Sequence, residues 1–201
     1  MNVSTFKYIL TVLLLAGLSF TSSAQKMRFL IPDGVVLQYA GSIGYFSGGI
    51  DYDLFRNKRG SLDILYGFVP KSKGGAFSTL STKFAYRPFE IKVSPWLIIH
   101  PVNPGLFLSY TLDKNFDLIR DRDQYIKGYY SLPEALRTHV SLSSEFTIDT
   151  AVLGKSKKLR TVTIYYEVNT NDIYLVNYFQ NTRGLSLGDV FKAGLGIKAS
   201  F

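Results

Sequence analysis

A histidine, a serine and a glutamate fall at positions from which they could act together. His139 and Ser141 are separated only by Val140, and Glu167 lies on the next patterned segment of the chain. If the chain reverses near Gly154 to Ser156, residues whose numbers sum to about 308 face each other, setting Ser141 opposite Glu167 and His139 opposite Asn169. A hydroxyl, an imidazole and a carboxylate so placed are the parts of a nucleophilic hydrolysis site, with the imidazole as base and the carboxylate as its orienting partner. A second set is purely ionic: Asp51, Asp53, Asp63, Glu145 and Glu167 with Lys83, Arg87, Lys192 and Lys198. Five acids and four bases on one enclosed face would have to pair, because a buried charge without a partner is strongly destabilising.

Both sets sit on the polar side of segments that alternate at period 2, the pattern of half-buried strands. Val162, Ile164, Tyr166 and Val168 oppose Thr161, Thr163, Tyr165, Glu167 and Asn169. Val140, Leu142, Phe146 and Ile148 oppose His139, Ser141, Ser143, Glu145 and Thr147. The same split recurs around Leu62 to Phe68, Leu106 to Leu112 and Phe191 to Phe201. The pattern predicts eight strands, at 35–45, 48–56, 61–69, 76–88, 104–113, 136–149, 159–169 and 187–201. In the first of these the inward face runs through Gln38, Ala40 and Ser42 and then changes parity to Asp51 and Asp53, which predicts a turn or bulge near 46–49. Residues 91–103 read as a connection, and 114–135 and 170–186 as long loops on the opposite side.

Composition narrows the class. Of 201 residues, 46% are hydrophobic, 15% aromatic and 19% charged, a charge content below the roughly 25% of ordinary soluble domains. No cysteine and two histidines remove disulfides, thiolate chemistry, iron–sulfur sites and a basis for a dedicated transition-metal site. No phosphate-cradling glycine loop or calcium-loop spacing is present, so neither a cofactor nor a metal is expected. Residues 1–24 read as a signal peptide: Lys7 ahead of an apolar run from Tyr8 to Phe20, then Ser22-Ser23-Ala24 as the cleavage site. That run is too short for the roughly 20 residues of a membrane-crossing helix. The mature chain, 25–201, is then one domain, and its net charge of +8 (less Lys7) does not indicate nucleic acid in the absence of any nucleic-acid motif.

An alternating sheet can be a soluble sandwich or a membrane barrel. Tyrosines on the apolar faces near strand ends, Tyr66, Tyr110 and Tyr166, suit the interfacial girdle of a barrel. The ending from Leu187 to Phe201, with Leu195, Ile197 and Phe201 at alternate apolar positions, resembles the C-terminal assembly signal of gram-negative outer-membrane barrel proteins. That resemblance implies insertion by the barrel-assembly machinery and a place in the outer membrane beside lipopolysaccharide. The fold expected is therefore all-β, a closed antiparallel transmembrane β-barrel of eight strands, too narrow for a diffusion pore.

The His139-Val140-Ser141 spacing is similar to that of the outer-membrane lipid A deacylases, eight-stranded barrels with a Ser-His-Glu triad. Leu142 stands where that family has Asn, and the last strand lacks a Glu. The leading reading is a small non-porin barrel acting as a structural or interaction component of the envelope, with an outer-membrane protein as a partner. A lipid A or phospholipid acyl hydrolase is the alternative, and a secreted periplasmic β-sandwich the third. The mixed-charge, tyrosine-bearing segment Asp113 to Glu134 would serve protein or glycan contact.

Overall fold

The computed structural model describes residues 31–73, 75–112, 135–152, 154, 159–182, 184 and 186–201. The segment read as a signal peptide and the mixed-charge segment 113–134 lie outside them. The unit Pro32–Phe201 forms a single antiparallel sheet. Its strands are β1 (Gly34–Ala40), β2 (Phe46–Leu54), β3 (Gly60–Val69), β4 (Phe77–Tyr86), β5 (Ile91–Ser94), β6 (Leu97–Leu112), β7 (Leu136–Asp149), β8 (Thr161–Asn171) and β9 (Lys192–Ser200).

Eight strands form a closed ring. β1 pairs with β9 and β4 with β6, so the sheet returns on itself and the sandwich reading is excluded. Short β5 stands outside the ring, paired only to the start of β6. Closure leaves the ring without a free edge, which removes the template for edge-to-edge association. The start of β1, the end of β9, the β2–β3 turn and the end of β7 lie at one end of the ring, and β1, β3, β6 and β8 end at the other.

Four local expectations are corrected. The first turn is 41–45, ahead of the predicted 46–49, and Phe46 already belongs to β2. Glycines at 41 and 44 adopt positive φ there (81° and 138°), the conformation that the turn requires. The connection expected at 91–103 is a hairpin: β5 turns at Pro95-Trp96 into β6, which is 16 residues long. Pro101 and Pro104 masked this strand, and the register shifts between His100 and Asn103, at Pro101, which has no N–H to give the ladder. Third, the loop after β8 contains a helix, α1 (Asp172–Gln180), capped by the Asn171 side chain, which accepts from Tyr174 N at 2.8 Å. Fourth, the last strand starts at Lys192, not 187, because α2 (Leu187–Val190) precedes it. Ser186 donates from its backbone N (2.9 Å) and Oγ (2.7 Å) to Asp189, and those bonds hold the Asp189 carboxyl below the usual range.

The faces follow the alternation. Inward positions are mostly polar: Gln38, Ser47, Asp51, Ser61, Asp63, Ser81, Lys83, Ser109, His139, Glu145, Glu167 and Lys198 are all buried. Among them lies one small apolar cluster, Val36, Ile43, Leu65, Phe107 and Tyr165. Outward positions carry exposed large hydrophobics, for example Leu37 (60%), Leu106 (51%), Leu142 (51%) and Leu195 (56%).

Candidate functional site

The pairing of β7 with β8 moves the residues proposed for hydrolysis apart. Ser141 faces Asn169, His139 faces Asn171 and Glu167 faces Ser143. The hairpin is centred one residue later than Gly154, with Thr150 N donating to Arg160 O (3.0 Å), and that shifts every pairing by two residues. A shift of two keeps each residue on its face but changes its neighbours. His139 Nε2 shares a 2.7 Å hydrogen bond with Ser109 Oγ, and its ring stacks on Phe107 at 4.1 Å between centroids. No hydrogen bond links His139, Ser141 and Glu167 to one another among the described residues. His139 Nδ1, the atom an orienting carboxylate would hold, is buried with no hydrogen-bond partner among the described residues.

Glu167 belongs to the ionic set. Lys83 Nζ is 2.9 Å from Glu167 and donates to Gln38 Oε1 at 2.7 Å, while the Tyr165 hydroxyl donates to the same oxygen at 2.8 Å. Asn169 Nδ2 donates to the other Glu167 oxygen at 3.0 Å. On the side of Tyr165 nearer the termini, Lys198 Nζ joins Asp51 (2.9 Å) and Asp63 (2.7 Å), which face each other directly across β2 and β3. Arg87 bonds Glu145 at 2.6 Å and lies 3.5 Å from Asp53, tying β4 to β7 and β2. Lys83 and Lys198 stand 5.6 and 5.7 Å from the Tyr165 ring centroid, one ammonium within cation–π range from each network.

Eight of the nine charged residues singled out in the sequence are thus drawn into ion pairs across the lumen. Lys192 is not. It sits at the loop end, 5.5 Å from the Tyr174 ring of α1. Gln38, Tyr165, Phe107 and Ser109 have central places that ionic counting could not reveal. Their signal was only their parity, since each lies on an inward face.

Two glycines make this filling fit. At Gly196 an added Cβ would collide with the Tyr165 ring, and at Gly67 it would collide with the Ile43 carbonyl. The first lets Tyr165 lie flat across the lumen. The second lets the 41–45 turn dip into the mouth, where Ile43 is fully buried, Thr79 Oγ1 donates to its carbonyl and Ser42 Oγ donates to Asn169 Oδ1. No cluster of His, Cys, Asp or Glu that could hold a metal ion occurs among the described residues.

No protein-family model and no curated protein matches the chain. It is similar to a solved structure described as "De novo design of transmembrane beta-barrels", at 13% identity and a TM-score of 0.38, over 85% of this chain and 98% of that one. The barrel itself is apolar on its outward face and polar and charged within. A barrel that is apolar outside and charged inside is built for lipid outside and a sequestered polar interior.

Proposed function

We propose that this protein is a small non-porin β-barrel of a gram-negative-type outer membrane, acting as a structural or interaction component of the cell envelope. The observation that carries this reading is the lumen, which is crossed by Tyr165, Gln38 and two lysine-centred ion-pair networks, a filling that supports a non-conducting interior. Eight-stranded barrels have interiors just wide enough for side chains to fill. The outward face supplies the lipid contact. On this reading the termini lie on the periplasmic side, the longer segments face outward beside lipopolysaccharide, and Leu195, Ile197 and Phe201 are lipid-facing residues that the barrel-assembly machinery would engage.

The acyl-hydrolase alternative has no geometry to favour it, because His139 is committed to Ser109 and Glu167 to Lys83. The test is fractionation of cells producing the full chain, followed by planar-bilayer recording and lipid mass spectrometry. The protein should co-sediment with outer membranes, migrate differently on gels before and after boiling, give no stable channel steps and leave acyl chains unaltered. Recovery without detergent in the periplasmic fraction would overturn the membrane placement. Stable conductance, or acyl loss that disappears with Ser141→Ala, would overturn the non-porin, non-enzymatic role.

A further inference from the structure

The outer wall is not uniform. One lateral row of outward residues runs Ile164, Ile197, Leu37, Gly48, Tyr66 and Leu80, each paired to the next across neighbouring strands. Every member but one has a large apolar side chain. Gly48 has none, and its place becomes the floor of an apolar groove of about 650 Å³ between Leu37 and Tyr66. That volume lies within the roughly 300–1,000 Å³ of small-molecule sites.

The row above closes the groove with rings. Tyr39 pairs with Phe46, and Phe46 with Phe68. Tyr45 packs edge-on against Tyr39 (5.0 Å) and Phe46 (5.1 Å), with its hydroxyl 3.2 Å from that of Tyr39. Over Tyr45 stands Lys73, its ammonium 5.6 Å from the ring centroid. Lys73 ends a short exposed turn, Lys71–Lys73, that carries no acidic residue. From bottom to top the sequence of environments is a side-chain-free apolar slot, an aromatic collar with two hydroxyls, and a cation at the water boundary.

We propose that this groove is a lipid-binding site that holds one acyl chain of a phosphorylated glycolipid of the outer leaflet, with its phosphate beside Lys73. The charge complementarity at the head of the slot selects the occupant. A phosphate matches the ammonium as a point charge, the collar's hydroxyls lie at headgroup depth, and a methylene chain fills the space over Gly48. A partner protein's strand would not need a cation at that height. The proposal rests on the membrane placement argued above.

The test uses the full chain purified in detergent and native mass spectrometry with three lipids: bisphosphorylated lipid A, the same lipid dephosphorylated, and phosphatidylglycerol. Wild type should retain bisphosphorylated lipid A in preference to the other two. Gly48→Phe, which fills the slot, and Lys73→Glu, which lies outside the strands and leaves the wall intact, should each lower retention by roughly tenfold, the scale of one lost charge-assisted contact. Gly48→Ala is the control, because its Cβ would meet the flexible tip of Leu37 at 3.2 Å and sit in ordinary contact with the Val36 carbonyl at 3.9 Å. Equal retention of all three lipids, preference for phosphatidylglycerol, or wild-type retention by Lys73→Glu would overturn the site. Those results in a protein that keeps its heat-dependent gel shift leave the membrane barrel standing, whereas a chain soluble without detergent removes both.

Discussion

Replacing Lys198 with methionine removes the cation that bridges two buried carboxylates facing each other across β2 and β3. Asp51 and Asp63 are each 2% exposed and directly paired across β2 and β3, with Lys198 Nζ at 2.9 and 2.7 Å. Breaking a buried pair by deleting one partner costs about 3–5 kcal/mol, and here a single cation serves two acids, which places the cost near the top of that range. With a urea dependence of about 2 kcal/mol per molar, the unfolding midpoint should fall by roughly 2 M. The assay is urea unfolding in detergent micelles, followed by the fluorescence of Trp96, the single tryptophan. Two companions make the result interpretable. Lys58→Ala deletes a cation at a similar 2.8 Å from Asp53, but Lys58 is 53% exposed, so its effect should stay below about 1 kcal/mol. Lys198→Met combined with Asp51→Asn and Asp63→Asn removes the repulsion and should recover more than half of the loss. A Lys198→Met shift no larger than that of Lys58→Ala, or a triple variant no better than the single one, would refute the view that this cation neutralises the pair.

Gly196→Ala should displace the Tyr165 ring and its 2.8 Å bond to Gln38, lowering stability by about 1–3 kcal/mol, as overpacking does; an unchanged urea midpoint would show that the ring has room to move. On the outer wall, Ile164→Arg should cost about 2–4 kcal/mol in lipid vesicles, whereas Val152→Arg in the β7–β8 turn should cost nothing measurable, and equal effects at both sites would place the apolar band elsewhere.

The alternation of the chain by itself determined which way side chains point. Period 2 depends only on neighbours in sequence, so the inward charges from Asp51 to Lys198 and the outward rows through Leu37, Leu142 and Ile197 could be assigned without knowing any pairing. Elements that broke the period were not legible. Pro101 and Pro104 concealed the start of β6, and α1 was hidden because it is short and buries none of its residues, so Ile173, Leu175, Val176 and Phe179 form no core-facing stripe. Who meets whom was decided only in three dimensions. A hairpin centre displaced by one residue moved Glu167 from Ser141 to Ser143, and ring closure through β1–β9 and β4–β6 brought Arg87 to Glu145, Lys83 to Glu167 and Lys198 to Asp51. These partners are 58, 84 and 147 residues apart in sequence. Contacts across a lumen depend on strand register and barrel closure together, and neither is encoded in the local pattern that sets the faces.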